Sequence, residues 1–332
     1  MKGQIYKIYS DSYFVKTDSG IIPCKIREVL KKQKNSVYTG DFVEIDKDVI
    51  TKIYERKTFI TRPAVANVDQ IVVVSALKEP ELDFYQLNRY VSLAKYYKIP
   101  VVLCFNKEDL EYENGLQEKI ENIYSELGYK IAFTSALENV GINYFAKLLD
   151  GKLSALCGNS GVGKSSLINA LNPEINLRTG CVSDKLSRGT HTTRHCEIID
   201  INENTRIIDT PGFSNLKFDF ILPKDVDLLF DEIRKYKSMC KFSNCLHINE
   251  SGCEVLKNIE NIDSTRYESY LAFVKEAFEY KEKVKYNGVK SETFKKFHNE
   301  KSIVKISEKK RRLSRNTQKQ KIYRELDEND NE

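Results

Sequence analysis

A glycine-rich stretch at residues 158–165 (GNSGVGKS) carries the strongest chemical signal in the sequence. It matches G-x-x-x-x-G-K-[ST], follows the apolar strand pattern LSALC and opens the helix pattern SSLINAL, which is the context this phosphate-binding motif requires. Glycines let backbone N–H groups turn toward phosphate oxygens, and the helix N-terminus adds a favourable dipole. We expect Lys164 to reach the β- and γ-phosphates and Ser165 to bind Mg²⁺. The residues expected at the phosphates are Gly158, Asn159, Ser160, Gly161, Val162, Gly163, Lys164, Ser165 and Ser166.

The base is indicated by residues 106–109 (NKED), which follow the apolar strand pattern VVLCF. That placement puts the motif at the carboxyl end of a strand, where ligands bind in open α/β folds. The Asp109 carboxylate only accepts hydrogen bonds, so it can take one from the ring N–H and one from the exocyclic amine of guanine, whereas adenine offers no such pair. Lys107 can lay its stem over the base, and Asn106 can brace the neighbouring loop. The motif therefore predicts selectivity for guanine.

A second base-reading segment is expected at residues 134–136 (TSA), which end the next apolar strand pattern. This segment is similar to the small-residue loop of GTPases whose backbone amide contacts the guanine carbonyl. Three small residues carry little information alone, but their position after a strand supports the assignment. We take Ser135 and Ala136 as the contacting pair.

Residues 209–212 (DTPG) fit D-x-x-G and follow the strand pattern TRIID. Asp209 is expected to hold Mg²⁺ through water, and Gly212 to offer its N–H to the γ-phosphate in a sensor that relaxes after hydrolysis. The alternative is an ordinary Pro-Gly turn after a strand. The position of the segment after the phosphate-binding motif favours the functional interpretation.

Residues 189–194 (GTHTTR) lie between the two phosphate motifs. A hydroxyl from this loop should complete the Mg²⁺ shell, and we favour Thr193, with Thr192 as the alternative. Phe213 stands where Ras-like enzymes carry a water-positioning Gln, so another group must orient the water. His191 is the nearest candidate, because either ring nitrogen can accept or donate. The alternative is a surface histidine that only helps to order the loop.

The order of these motifs is permuted. A Ras-like domain runs from the phosphate loop through the switch threonine and D-x-x-G to N-K-x-D and then S-A. Here the base-reading loops (106–109 and 134–136) precede the phosphate loops (158–165, 193 and 209–212). All five motifs are present, so we expect the same site to form from a circularly permuted chain.

A cluster of metal-ligand residues follows at positions 240–253, with the spacing C-x4-C-x-H-x5-C. Four soft ligands so close together suit one tetrahedral, closed Cys3His zinc site, which indicates a structural ion. Unrelated residues or free thiols are the alternative. The expected zinc ligands are Cys240, Cys245, His247 and Cys253. Three further cysteines lie in apolar strand patterns and are expected in the core: Cys24, Cys104 and Cys157.

Composition limits the class of protein. The chain has 332 residues, of which 41% are hydrophobic and 30% charged, and it has no uncharged apolar run of about 18 residues, so neither a membrane span nor a membrane partner is expected. The N-terminus lacks the apolar core of a signal peptide, so we expect a cytoplasmic protein whose cysteines are thiols or metal ligands.

The net charge of +5 is unevenly distributed. Residues 281–325 carry 16 Lys or Arg against 5 Asp or Glu, whereas the last seven residues contain four acidic ones. Such a basic excess suggests contact with a polyanion, since neutralising phosphates releases counterions. A solvated tail explains the charge equally well.

Strand and helix patterns divide the chain into three parts. Residues 1–62 show five short strand patterns, with a possible short helix after the third, and fit an OB-type β-barrel that binds RNA; another small barrel would look similar. Residues 63–236 alternate buried strands and helices, which predicts a doubly wound α/β domain with a last helix near 225–236. Residues 237–332 combine the zinc cluster, a helix at 264–285 and the basic tail.

Taken together, the motifs resemble the circularly permuted, small ribosomal subunit-dependent GTPases known as RsgA or YjeQ. The resemblance covers almost the whole chain. Its basis is the permuted order, the G-x-S-G-V-G-K-S-S-L loop, and the segments at 189–193 (G-x-H-T-T), 209–212 (D-T-P-G), 240–253 and 62–69 (RPAVANVD).

The resemblance implies an OB fold, a permuted GTPase domain and a zinc-binding domain. It also implies hydrolysis of GTP to GDP, stimulated by the small ribosomal subunit and its rRNA during late maturation, with His191 as the catalytic histidine. The family pattern has a third Thr where this chain has Arg194. Two other hypotheses are an RNA-binding assembly factor that uses GTP only as a conformational switch, and a GTPase with a non-ribosomal partner. Nothing in the sequence demands a dimer, so we expect a monomer.

Overall fold

A computed structural model of the chain describes residues 1–28, 30, 36–177, 196–210, 218 and 220–288. The chain forms two compact units. The first contains Met1–Leu216, Leu229–Glu232 and Glu260–Ser269, and the second contains Lys217–Leu228, Ile233–Ile259 and Tyr270–Glu332.

The N-terminal segment is a five-stranded barrel, as its alternating apolar pattern predicts. Its strands are β1 Lys2–Tyr9, β2 Ser12–Thr17, β3 Gly20–Ile26, β4 Phe42–Asp46 and β5 Val49–Ile53. The barrel closes because β1 pairs with β4 as well as with β2, and β3 pairs in parallel with β5. Ile5, Val15, Val43 and Ile50 are fully buried in the core of the barrel.

A short hairpin, β6 Phe59–Thr61 and β7 Ala64–Ala66, follows the barrel and was not predicted. The chain entering it is held by Arg56, whose Nε donates to Asp41 Oδ1 over 2.6 Å and whose guanidinium lies 4.8 Å from the ring centres of Tyr38 and Phe59. The Asp41 side chain is fully buried, so the pair needs this close geometry to offset the cost of removing both charges from water.

The nucleotide-motif region is a parallel sheet with helices between its strands. The elements are β8 Gln70–Ala76, α1 Phe84–Tyr96, β9 Val101–Asn106, α2 Leu116–Ser125, β10 Lys130–Thr134, α3 Ile142–Leu149, β11 Leu153–Cys157, α4 Lys164–Leu171, β12 Glu197–Asp200 and β13 Arg206–Asp209. The strand order is β10-β9-β8-β11-β13-β12, and β12 alone runs antiparallel to its neighbour in this order. The apolar strands are buried on both faces, as expected for a parallel sheet under helices.

The barrel and the parallel sheet are hydrogen-bonded into one eleven-stranded sheet. Strand β1 pairs antiparallel with β12, where Lys7 lies opposite Glu197 and the two side chains form an ion pair over 2.7 Å. Beside them, Tyr6 Oη donates to Asp200 Oδ1 over 2.8 Å. No pattern in the sequence predicts this junction.

The C-terminal elements are a 3₁₀ helix Pro223–Leu229, α5 Asp231–Lys237, α6 Glu254–Lys257, a 3₁₀ helix Ile259–Asn261 and α7 Ser264–Gly288. The single helix predicted near 225–236 is therefore wrong, because the segment breaks at Phe230. That ring is fully buried, 4.6 Å from the guanidinium of Arg266, so the chain turns there to place it. The helix predicted at 264–285 is present as α7. Of the possible helix after β3, most residues lie outside the described part.

Two aromatic rings form part of the core of the second unit. Phe218 stacks on Phe273 with ring centres 4.2 Å apart, and Leu222 packs with Val284 and Tyr280. None of the described helices is long and apolar enough to cross a membrane.

Candidate functional site

Four of the predicted motifs lie at one edge of the parallel sheet. Strand β9 ends at Asn106, β10 at Thr134, β11 at Cys157 just before the glycine-rich loop, and β13 at Asp209. Carboxyl ends of neighbouring parallel strands meet at the same edge. The base-reading and phosphate-binding segments therefore converge although they are distant in sequence.

Asn106 joins the two halves of this edge directly. Its side-chain amide donates to the carbonyl of Val162 in the glycine-rich loop over 3.0 Å. Its carboxamide oxygen accepts from the Ala136 N–H over 3.1 Å and from Thr134 Oγ1 over 3.2 Å. The residue is only 2% exposed, so these bonds are made away from competing water.

The glycines at two loop positions are required by close approach as well as by conformation. A Cβ on Gly163 would lie 2.2 Å from Asn106 Nδ2, and a Cβ on Gly158 would lie 2.0 Å from the Val74 carbonyl oxygen. The φ angles there are 94° and 147°. Any side chain at Gly163 would separate the loop from Asn106.

The phosphate side contains an oppositely charged pair. Lys164 Nζ donates to the carbonyls of Gly158 over 2.9 Å and Asn159 over 2.8 Å. Burial lowers the pKa of Lys164 and raises the pKa of Asp209, and their mutual attraction only partly offsets both shifts. Both charged forms are therefore incompletely stabilised, so a bound anion at Lys164 and a bound cation at Asp209 would favour them.

Three hydroxyl residues complete the described phosphate side. Ser165 and Ser166 occupy the first turn of α4, directly after Lys164. At the end of β13, the buried Thr210 donates to the Leu156 carbonyl over 2.5 Å and so holds the residue after Asp209 against β11.

On the base side, Asp109 is held by its neighbouring loop. Ser135 Oγ donates to Asp109 Oδ1 over 2.5 Å and accepts from the Glu138 N–H over 3.0 Å. One carboxylate oxygen is thus fixed by the S-A loop. Lys107 has a left-handed backbone with φ 67°, and its ammonium donates to the Glu79 carbonyl.

Three predicted site residues lie outside the described part of the chain: His191, Thr193 and Gly212. The same holds for Thr192, the alternative magnesium ligand, and for the basic tail beyond residue 288.

A second cluster contains all four predicted zinc ligands. The ligand atoms of Cys240, Cys245, His247 and Cys253 lie within 4.8 Å of one another. His247 Nδ1 is 3.4 Å from Cys253 Sγ and 3.7 Å from Cys240 Sγ, while a tetrahedral zinc with its usual bond lengths holds ligand atoms about 3.5 Å apart. The donor set and its spacing fit one closed site.

The loop that carries His247 is pinned by Glu250. Its carboxylate accepts from the N–H groups of Leu246 over 2.7 Å, Ile248 over 2.8 Å and Asn249 over 3.1 Å. Burial acts to raise the pKa of Glu250, but these donors outweigh it and hold the pKa below its usual value. The expected core cysteines are confirmed, since Cys24, Cys104 and Cys157 are buried in strands.

Comparison with known proteins gives the family. A family model described as RsgA GTPase matches residues 53–219, and one described as RsgA N-terminal domain matches residues 2–53. The chain belongs to the RsgA GTPase family.

Curated relatives of this RsgA family member are similar in sequence over most of its length. The small ribosomal subunit biogenesis GTPase RsgA of Clostridium perfringens strain SM101 is 39% identical over 83% of this chain and 98% of its own. The protein of the same name from Alkaliphilus metalliredigens is 37% identical over 83% and 97%.

Two solved structures share the fold. YjeQ from Thermotoga maritima superposes with a TM-score of 0.73 and 35% identity, covering 83% of this chain and 98% of that one. YloQ, described as a circularly permuted GTPase, gives a TM-score of 0.69 and 31% identity, covering 84% and 95%. The predicted fold class is confirmed: a permuted GTPase domain, an N-terminal barrel and a helical C-terminal region with a Cys3His cluster.

Sequence reasoning missed two contacts to the site of this RsgA family member. The Tyr90 hydroxyl donates to Asn159 Oδ1 over 3.0 Å, and the Glu79 carbonyl accepts from Lys107. In the sequence, Tyr90 stands within an apolar helical pattern, which is typical of a core residue. The available signal was a hydroxyl on the buried face of the helix that precedes β9, one of the strands that end at the site.

Proposed function

We propose that this chain binds GTP at the edge of the parallel sheet, hydrolyses it to GDP and phosphate, and acts in small ribosomal subunit biogenesis. The Asn106 side chain carries the proposal, because its bonds to Val162 and Ala136 join a phosphate loop and a base-reading loop at one edge of the sheet. Membership of the RsgA GTPase family supports the activity, and the names of the relatives support the ribosomal role.

Guanine is read by Asp109 in this proposal. The Ser135 hydroxyl fixes one carboxylate oxygen, so the carboxylate is oriented before the nucleotide arrives. It accepts from the ring N–H and the exocyclic amine of guanine, and the backbone of Ser135 and Ala136 approaches the guanine carbonyl. Adenine offers no such pair of donors, so it would leave the carboxylate without hydrogen bonds. The free energy of removing that carboxylate from water would then not be recovered, and adenine nucleotides would bind poorly.

The triphosphate is held by the glycine-rich loop, Lys164 and the first turn of α4. Ser165 and Thr193 would hold Mg²⁺, and Asp209 would hold it through water. The ion would supply positive charge beside the β- and γ-phosphate oxygens. Gly212 offers its N–H to the γ-phosphate, and the segment that follows it relaxes when that group leaves.

His191 orients the attacking water, since Phe213 occupies the position of the glutamine used in Ras-like enzymes. Its ring accepts a hydrogen bond from the water and directs the oxygen lone pair at the γ-phosphorus. The proton leaves with the inorganic phosphate product, so the histidine returns to its starting state.

The Cys3His cluster would hold one structural zinc ion. Three thiolates and one imidazole nitrogen would fill a tetrahedral shell, and the ion would stabilise the loop between α5 and α6. The exposed Phe242 and Ile248 stand on this loop, where an RNA base could contact them.

The partner is the small ribosomal subunit, contacted through its rRNA. Three parts of the chain are suited to RNA: the N-terminal barrel, the zinc loop and the basic stretch at 281–325. We propose that subunit binding accelerates GTP turnover late in subunit maturation, and that the factor works as a monomer in the cytoplasm.

Turnover of GTP by the full chain, measured with and without purified small subunits at two salt concentrations, tests this function. We expect a steep rise with subunits at low salt, and a smaller rise at high salt because phosphate contacts are screened. Turnover that ignores the subunits at low salt would contradict the proposed partner.

A His191→Ala variant tests the hydrolytic role separately. We expect subunit-stimulated turnover to fall while GTP binding and subunit co-sedimentation persist. Unchanged turnover would place the water-orienting group elsewhere. His195→Ala is the matched control, because no role in nucleotide or RNA binding is assigned to that histidine.

A further inference from the structure

The glycine-rich loop is held from a second side by helix α1. Tyr90 lies on this helix with 2% of its surface exposed, and its hydroxyl donates to Asn159 Oδ1 over 3.0 Å. Asn159 is the second residue of the loop, between Gly158 and the residues that lead into α4. The hydroxyl of a buried tyrosine ring is therefore hydrogen-bonded to the phosphate loop.

Helix α1 is itself firmly anchored. Asp83 caps its N-terminus by accepting from the N–H groups of Tyr85 and Gln86. Two positions before Tyr90, the fully buried Asn88 receives a bond of 2.9 Å from Arg266 Nη1. Such fixed neighbours leave the Tyr90 ring little freedom to move away from the loop.

The loop needs outside support because of its composition. Gly158, Gly161 and Gly163 all have positive φ, and glycine backbones do not hold such a conformation without help. The Asn106 amide grips the carbonyl of Val162 at one end of the loop. The Tyr90 hydroxyl donates to Asn159 near the start of the loop, so the loop is hydrogen-bonded to the rest of the domain at both ends.

Asn159 also bears on the lysine of the motif. Its backbone carbonyl accepts from Lys164 Nζ over 2.8 Å, while its side chain accepts from Tyr90. If the Asn159 side chain moved, the backbone carbonyl of Asn159 would move as well. The ammonium group of Lys164, which donates to that carbonyl, would then change position. Burial raises the pKa of Tyr90, so the hydroxyl stays protonated and remains a donor at neutral pH.

We propose that Tyr90 is a positioning residue for the phosphate loop, which acts through Asn159 on the binding of the phosphates shared by GTP and GDP. The proposal rests on the proposed nucleotide-binding function of the loop. Because Asn159 belongs to the phosphate-binding loop and not to the base-reading loops, we expect the loss of this contact to affect GTP and GDP equally and to leave the choice of base unchanged.

Tyr90→Phe in the full chain tests this role, since it keeps the ring and removes only the hydroxyl. We expect affinity for fluorescently labelled GDP and GTP to fall equally, by about 2- to 10-fold, the range of one lost hydrogen bond. The KM for GTP should rise by a similar factor with kcat nearly unchanged. The preference for GTP over xanthosine triphosphate should stay as in the wild type.

Two further variants separate positioning from general stability. Asn159→Ala should reproduce the loss, and the double variant should be no weaker than either single one, because the two residues act as a pair. Tyr97→Phe is the matched control: it removes a hydroxyl bonded to Thr61 just beyond the other end of α1. It should leave nucleotide affinity unchanged.

Wild-type affinity in Tyr90→Phe would overturn the proposal, as would an additive double variant or a changed base preference. An equal loss in Tyr97→Phe would also overturn it, because the effect would then be general to the helix. A wild-type chain that binds no guanine nucleotide would instead refute the proposed function, so the two failures are distinguishable.

Discussion

Asn106→Ala removes the side chain that joins the base-reading loops to the phosphate loop. Three hydrogen bonds are lost, at 3.0, 3.1 and 3.2 Å. At about 0.5–1.5 kcal/mol each the loss is about 1.5–4.5 kcal/mol, with the upper part favoured because the Val162 carbonyl and Ala136 N–H would be left buried. For a domain of this size, a loss of about 3 kcal/mol lowers the Tm by about 6–12 °C.

The assay is thermal unfolding of the full chain with and without Mg²⁺ and GDP. Besides the lower Tm, we expect GDP to stabilise Asn106→Ala much less than the wild type, because its two loops no longer hold one relative position. If the altered position of the loops costs about 1.4 kcal/mol of binding free energy, the Kd for GDP rises about tenfold. The added stability follows the ratio of ligand concentration to Kd, so it reports this loss directly.

Asn169→Ala is the matched control for this experiment. Asn169 makes two bonds of 2.9 Å to the Leu177 backbone, on the helix that follows the phosphate loop but away from the base-reading loops. It should lower the Tm and leave the stabilisation by GDP intact. The reasoning is refuted if Asn106→Ala melts like the wild type, or if GDP stabilises it as strongly as it stabilises the wild type.

Three further outcomes follow from individual contacts. Ser135→Ala removes the hydroxyl that fixes the Asp109 carboxylate and should raise the Kd for GTP several-fold in a titration. The ratio of the Kd values for GDP and GTP should stay unchanged, and tighter binding of GTP would contradict the proposed orienting role. Cys245→Ser should lose the one zinc ion per chain measured by elemental analysis, and an equal zinc content in wild type and variant would contradict the closed site. Arg56→Ala removes the charge partner of the buried Asp41 carboxylate, which then keeps the Tyr38 N–H as a donor, and should lower the free energy of unfolding in urea by about 3–5 kcal/mol, whereas a change under about 1 kcal/mol would mean that water reaches the carboxylate.

Local motifs carried most of the site in the sequence. The phosphate loop could be placed because a short apolar strand, three glycines and a helix pattern follow one another within residues 153–171. The N-K-x-D segment gained meaning from the strand before it. Parallel strands buried on both faces read as continuous apolar runs, so their carboxyl ends could be aligned without coordinates.

Contacts between distant residues could not be read in the same way. The sequence indicates that Asn106 braces a loop, but not that its amide donates to Val162, 56 positions away. The sequence of β12 does not indicate that β1 is its second partner beside β13, because an edge strand can pair with any exposed strand. Pairing with β1 depends on the folded barrel, and the paired residues Lys7 and Glu197 are 190 positions apart.

Burial hid other features. Tyr90 satisfies the helical apolar pattern and reads as core, although its hydroxyl reaches the phosphate loop. Phe230 breaks a predicted helix because the ring is placed against Arg266, a tertiary contact that overrides local propensity.

The most direct test of the account is the base preference of Asp109→Asn, measured by titrating the full chain with GTP and with xanthosine triphosphate. The amide presents a donor where the carboxylate accepted, and two charge-assisted bonds of about 1.5–3 kcal/mol each are lost, so GTP affinity should fall by about 10²–10⁴-fold. Xanthosine triphosphate, which carries a carbonyl in place of the guanine amine, should bind the variant better than GTP does. Retained GTP affinity with no gain for the xanthine nucleotide would contradict the claim that one pocket reads the purine through residue 109 and the phosphates through the loop at 158–165.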